Sequence, residues 1–333
     1  MSSARTLSFL IYPGFQLLDL SGPLAVFSGA NTALGRTAYA FNIVAEQTGP
    51  VVASCGLSVT ATHSYADAQS GLAATDTWFA LGGEAPEIEA ELARGLITPL
   101  LRAAHGTAAR LASVCTGAFF LAEAGCLAGR RATTHWWSSD RLARRFPAIE
   151  VDGDAIFIQS GRIWTSAGVT AGIDLALALV EQDHGRDAAL LIARHLVVPR
   201  MRHGGQSQYS SDLAVQHTQE RRLTGLADAV RAHPDKRWTV DALAQRAGVS
   251  RRTLSRLCRD ELETSPAGLV ESIRLDAARQ ALVETDLAVE RIAEQSGFGS
   301  AQRMDRVFGR RLGLAPRAFR SRFRSPFAQE TSR

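Results

Sequence analysis

The apolar positions change their period part-way along the chain. As far as about residue 198, short apolar runs alternate with stretches of helical spacing. Residues 7–12 form a mostly apolar run stopped by Pro13-Gly14, which predicts a buried strand and a turn. Helical spacing follows over 19–34, then a second strand over 39–45 and a third over 77–81, ended by Gly82-Gly83. One helix is predicted over 86–104, with Glu early, where the helix dipole favours it. A strand over 110–114 runs straight into Cys115-Thr116-Gly117 and an apolar helix over 118–124. A further strand is predicted over 132–135. A hairpin is predicted over 155–166, turning at Gly161-Arg162, and helices over 170–182 and 187–196. Strands alternating with helices imply a doubly wound, mostly parallel α/β sheet.

Beyond about residue 213 no strand-like run occurs. Instead a pattern repeats. Residues 240–248, ending in Gly248, recur 49 residues later as 289–297, ending in Gly297. In both copies, apolar or small residues fall at i, i+3, i+4 and i+7, one helical face, and glycine closes the helix as a C-cap does. The partner helices, 250–258 and 300–308, also match, with Ser250 and Ser300 as N-caps. Leu254, Leu257 and Cys258 mark one buried face, and Met304, Val307 and Phe308 the other. Helix, glycine turn, helix is the helix-turn-helix pattern, whose second helix enters the major groove. Between the copies, 266–284 predicts a helix of about 27 Å, near the spacing of successive major-groove faces. The polar stretch 199–212 reads as a linker. The organisation expected is an α/β domain over 5–198, a linker over 199–220 and an all-α domain over 221–325.

Charge sharpens the division. The net charge of +4 over 333 residues looks nearly neutral. Residues 221–333 hold 22 Lys and Arg against 14 Asp and Glu, a net of +8, and the rest is −4. Arg303 to Arg324 alone contains eight arginines and one acid, Asp305. A basic half with two helix-turn-helix units points to double-stranded DNA, the arginines supplying phosphate contacts. In the first copy, Arg252, Arg256 and Arg259 lie opposite the apolar stripe, and Gln302, Arg303, Arg306 and Arg310 do so in the second. Arg and Gln make bidentate contacts with guanine and adenine edges, respectively. Four cysteines make no disulfide framework and no pair has zinc-ligand spacing, so no metal or cofactor is expected. No signal peptide or run of 18 apolar residues is present, so a cytoplasmic chain without membrane contact is expected.

The basic half resembles the AraC/XylS family of transcriptional regulators. The resemblance rests on Gly297-Phe298-Gly299-Ser300, Arg306-Val307-Phe308 and the run Leu312-Gly313-Leu314-Ala315-Pro316-Arg317-Ala318-Phe319-Arg320. Met304 and Ala315 stand where the family often has Phe and Ser. The resemblance implies promoter binding through Arg251, Arg252, Thr253 and Arg256 in one groove, and Ser300, Ala301, Gln302, Arg303 and Arg306 in the next. It also implies RNA polymerase as a partner. A homodimer is expected, since such regulators read paired half-sites.

In the acidic half, Cys115 falls at a strand-to-helix turn, an elbow that exposes the side chain at the carboxyl edge of a sheet. The following helix N-terminus is expected to lower the thiol pKa, and the Gly83 region to supply a backbone N–H for a ligand. The bland alternative is a small buried cysteine before a core helix, and Cys55, Cys126 and Cys258 read that way. Residues 5–198 resemble the ThiJ/PfpI family of the class I glutamine amidotransferase-like superfamily, a flavodoxin-like fold. The matching pieces are residues 12–23, Gly82-Gly83, Ser113-Val114-Cys115-Thr116-Gly117-Ala118, Thr133-Thr134-His135-Trp136 and residues 165–174. The resemblance implies that Asp19 sits beside Cys115. His135 matches a motif of several members. Asp19, Cys115 and Thr116 match the catalytic set of isonitrile hydratases, whereas the His that follows Cys in peptidase-type members is Thr116 here. Trp136 and Trp137 beside His135 invite an aromatic cage for a quaternary amine, but on a strand they would face opposite sides, so at most one lines the site and core packing is expected of them. Both halves together resemble GlxA-like regulators, which implies a non-enzymatic regulator controlled by a small nitrogenous metabolite near Cys115. The alternatives are a cysteine-dependent hydratase or amidase, and a redox sensor acting through Cys115.

Overall fold

A computed structural model of the chain describes residues 4–70, 75–198 and 221–323. It divides into two compact units, Met1–Gly204 and Gly205–Arg333. The segment expected as a linker lies outside the described residues, as does the tail from 324.

The first unit is built from strands β1 (Arg5–Leu10), β2 (Tyr39–Ala45), β3 (Gly49–Val52), β4 (Ser58–Ala61), β5 (His63–Ser64), β6 (Thr77–Ala80), β7 (Arg110–Val114), β8 (Arg131–Ala132), β9 (Glu150–Val151), β10 (Phe157–Ser160) and β11 (Ile163–Ser166). Its helices are α1 (Leu17–Ala33), α2 (Tyr65–Ser70), α3 (Ala85–Arg94), α4 (Ile97–Thr107), α5 (Ala118–Glu123), α6 (Ser139–Arg145), α7 (Ala171–His184) and α8 (Arg186–His195). Seven strands form one sheet in the order β10-β11-β7-β6-β1-β2-β5. All its pairings are parallel except that of β10 with β11. The strand order reverses beside β1, so the carboxyl ends of β1, β6 and β7 open on a crevice of the kind in which such sheets bind ligands.

The core explains why the apolar runs were visible. Phe9 and Phe79 stack at 4.5 Å, and Phe27 packs on Tyr39 at 4.8 Å. All four rings are buried, each contributing about 1.5–3 kcal/mol relative to exposure. At the opposite edge, the Arg110 guanidinium grips Asp183 at 2.8 and 3.0 Å, and the Tyr39 hydroxyl donates to the same carboxylate at 2.9 Å. That network ties the end of α7 to the sheet.

Several expectations are corrected. Cys55, read as a buried cysteine, is exposed. The helix predicted over 86–104 is two helices. Gly95 closes α3 with φ 66°, its N–H donating to the Glu91 and Leu92 carbonyls, a left-handed cap that glycine adopts without strain. The strand predicted over 132–135 stops at Ala132. From there side chains replace the ladder: the Thr165 hydroxyl accepts from the Thr133 N–H at 2.9 Å, and Thr133 donates to the Ala155 carbonyl at 3.0 Å. Trp136 and Trp137 are not core residues. They open a 3-10 turn, Trp136–Ser138, and stand 46% and 77% exposed.

The second unit is helical: α9 (Arg221–Ala232), α10 (Val240–Ala247), α11 (Arg251–Leu262), α12 (Pro266–Glu284), α13 (Val289–Gln295), α14 (Ala301–Leu312) and α15 (Pro316–Phe323). It has two separate cores that share α12. Leu269, Val270 and Ile273 join the core of α9, α10 and α11. Leu275, Ala278 and Leu282 join that of α13, α14 and α15. Ser250 and Ser300 accept from the backbone N–H of Thr253 and Arg303, as N-caps do. Among the described residues, no helix is long and apolar enough to cross a membrane.

Candidate functional site

Cys115 closes β7 with φ 58°, a left-handed conformation that strains a non-glycine residue. Two glycines make room for it. A Cβ at Gly168 would collide with Cys115, and one at Gly82 would lie 2.7 Å from its Cβ and 2.8 Å from Asp19 Oδ2. The strained turn lifts the sulfur to the carboxyl edge of the sheet, beside the loop that follows β1.

That loop delivers Asp19 on the first turn of α1, fully buried. Its carboxylate accepts from the Val169 N–H at 2.7 Å and the Gly82 N–H at 3.2 Å. Burial lifts its pKa from 3.8 to about 6, against the opposing pull of hydrogen bonds from Val169, Gly82 and the Cys115 side chain. Pro23 lies four residues on inside α1 and lacks the N–H that would otherwise bond the Asp19 carbonyl.

The thiol differs from expectation. Burial, then the charge of Asp19, push the Cys115 pKa well up, outweighing the helix N-terminus and the hydrogen bonds from Thr116. The N–H expected from Gly83 is also committed. It donates to the Thr116 hydroxyl at 2.9 Å, and that hydroxyl donates back to the Gly83 carbonyl at 2.7 Å. Thr116 is thus a clasp between two strand ends. The Thr134 hydroxyl donates to the Cys115 carbonyl at 2.9 Å, so the Thr-Thr-His segment supports the elbow from the far side. His135 is half-buried, with its ring centroid 5.7 Å from that of Trp136. Burial lowers its pKa and the Glu84 carboxylate opposes this. Glu84 also raises the Cys115 pKa, so its field reaches both groups. The sequence assigned no site role to Gly82, Gly168 or Glu84, all of which lie at the elbow. The glycines could have been found in the Gly82-Gly83 and Gly168-Val169 pairs that flank predicted strand ends.

In the second unit, Arg251, Arg252 and Arg256 are exposed on α11 and Thr253 is half-buried. On α14, Gln302, Arg303 and Arg306 are exposed and Ala301 half-buried, while Ser300 caps its start. Met304, Val307 and Phe308 face the core, so the polar face points outward over its whole length. Arg251 pairs with Asp241, a solvent-exposed ion pair worth little. Arg310 is likewise exposed and pairs with Glu271 at 2.7 Å.

An α/β unit with a cysteine elbow, followed by paired helix-turn-helix units, defines a class of transcriptional regulators. Comparison with known proteins agrees. Residues 5–182 match the DJ-1/PfpI family and residues 243–322 match a helix-turn-helix domain. The HTH-type transcriptional regulator CdhR of Pseudomonas aeruginosa is 32% identical over 308 residues, covering 92% of this chain and 89% of that protein. The isonitrile hydratase of Pseudomonas putida is 33% identical over 195 residues, 58% of this chain and 78% of the enzyme. The crystal structure of a ThiJ/PfpI family protein from Pseudomonas syringae superposes with a TM-score of 0.54 at 23% identity, covering 74% of this chain and 91% of that one. The chain belongs to the DJ-1/PfpI family and, through its AraC-type helix-turn-helix domain, to the DNA-binding transcriptional regulators.

Proposed function

We propose that the two units divide sensing from reading. A small nitrogenous effector binds over the Cys115 elbow, and α11 and α14 place Arg252, Arg256, Gln302, Arg303 and Arg306 in successive major grooves. The chain acts as a homodimer at a promoter where RNA polymerase is recruited or blocked. The observation that carries the sensing half is the buried Asp19 carboxylate at a strained, glycine-cleared elbow. With Glu84 acting on both Cys115 and His135, the crevice is electronegative, which suits a cationic nitrogen. The exposed faces of Trp136 and Trp137 beside His135 add the ring surface that cations favour. Several features favour a binding role over catalysis. The thiol is held protonated, and the Gly82 and Gly83 N–H groups already serve Asp19 and Thr116. The same raised pKa disfavours redox sensing, which needs thiolate.

A thermal-shift screen of amines and amino acids against the full chain tests this. Binding at a hundred times Kd stabilises by about 2.7 kcal/mol. The expected hit is cationic and loses its shift in Glu84→Gln and Asp19→Asn. A hit that shifts all three proteins equally places the effector elsewhere. Isonitrile or amide turnover that vanishes in Cys115→Ser would instead make the elbow a catalytic centre.

A further inference from the structure

The two reading helices belong to helix-turn-helix units with separate cores, yet contacts outside those cores tie them together. Arg274 leaves α12 between the two apolar sets. Its Nε donates to the Pro234 carbonyl at 2.9 Å and its terminal nitrogen to the Lys236 carbonyl at 2.8 Å. Both carbonyls lie in the loop between α9 and α10. Gly297, the turn glycine of the second helix-turn-helix unit, closes onto the same point. With φ 80°, a Cβ there would run into the Pro234 oxygen and stand 2.6 Å from Arg274 Nε. At the far end of α14, Arg310 reaches both Glu271 oxygens at 2.7 Å and Arg311 bonds Ser272 at 3.0 Å. Glu271 and Ser272 sit on the part of α12 that packs with the first helix-turn-helix unit. The second reading helix is therefore tied at both its ends: through its preceding turn to the first helix-turn-helix unit, and through its last residues to the early part of the shared α12.

We infer that Arg274, with Gly297 seated on Pro234, is a positioning strut that fixes the separation of the two reading helices, so that the protein selects the spacing between two DNA segments as well as their bases. This rests on α11 and α14 being the reading helices. A helix shared by two cores resists bending but leaves the units free to roll about it. The strut lies off the α12 axis, and an off-axis tie stops that roll. Adding one base pair between two contacted segments moves the second by about 3.4 Å and turns it by about 35°. A pair of heads locked together cannot follow that change without losing contacts.

Two glycines provide a matched test. Gly299 has φ 76° and nothing within 4 Å of a Cβ, whereas Gly297 has φ 80° and meets the strut. Alanine at either position costs the same backbone strain, and only Gly297→Ala presses on Pro234. Full-length protein is used to select binding duplexes from a random library. The preferred duplex is then re-made with one base pair added or removed between the two protected segments. Wild type and Gly299→Ala should lose at least about tenfold in affinity on either change. Gly297→Ala and Arg274→Met should lose no more than about threefold, with the native-spacing duplex less favoured. Circular dichroism shows which variants are folded, and Arg274→Gln, which also removes the guanidinium from the Pro234 and Lys236 carbonyls, replaces any that is not. If the folded strut variants keep the wild-type spacing profile, the strut has no such role. If Arg256→Ala and Arg306→Ala leave the selected duplex bound as before, the reading-helix assignment fails instead, whatever the spacing profile.

Discussion

Asp19 is the residue on which the sensing half turns, and its chemistry sets a sign. The folded chain raises its pKa from 3.8 to about 6, so the folded state binds the proton more tightly than the unfolded one. Its stabilising contribution is present below 3.8 and is lost as pH rises through about 6. At neutral pH the ionised carboxylate therefore costs stability, on the order of 3 kcal/mol. Asn at this position does not titrate. Between pH 4 and pH 7.5, the stability of Asp19→Asn relative to wild type should improve by about 2.4 kcal/mol, whatever constant penalty its amide incurs facing the Gly82 and Val169 N–H groups. Denaturant unfolding of the full chain, followed by tryptophan fluorescence at the two pH values, gives the difference. An unchanged difference would mean that Asp19 is not desolvated. Of the candidate site, the Cys115 elbow was legible from the strand-to-helix pattern, whereas Asp19, Thr116 and His135 came in only through the family resemblance. Their protonation was legible in neither. A helix N-terminus argued for a thiolate, and that argument lacked the two facts that reverse it: how deeply the sulfur is buried and how close the Asp19 charge lies.

At the scale of elements, the repeat in the basic half was readable because both copies use the same local devices. Ser250 and Ser300 each cap a helix that carries exposed arginines on its outward face. Ser250→Ala and Ser300→Ala should each cost about 1 kcal/mol of stability, seen as a lowered denaturation midpoint. No loss in either would mean that the caps are not used in solution. Strands β1, β6, β7 and β11, buried along most or all of their length, were readable as apolar runs. The pair β3 and β4 was missed because its strands are short and half-exposed, with no clean alternation. The end of β8 was missed because Thr133 and Thr134 continue the sequence pattern of a strand while bonding through side chains. The break at Gly95 and the placement of Trp136 and Trp137 share a cause. Each depends on a local conformation, a left-handed cap in one case and a 3-10 turn in the other, that an apolar period does not encode.

For the whole molecule, the net +4 is the sum of opposite halves, and the basic half concentrates its charge where DNA would lie. Arg252, Arg256 and Arg259 on α11, with Arg303 and Arg306 on α14, have no ion pair among the described residues. By contrast, arginines outside the outward faces, such as Arg110, Arg141 and Arg145, are paired. An arginine without a protein partner on an exposed helix has its donors available for phosphate or base edges. The most direct test of the account is the salt dependence of binding to a selected duplex, comparing wild type with Arg256→Ala and Arg306→Ala. The account predicts a log–log slope steeper than about −4, with each substitution costing about 1–3 kcal/mol of affinity. A slope shallower than about −1, with both variants binding as tightly as wild type, would contradict it.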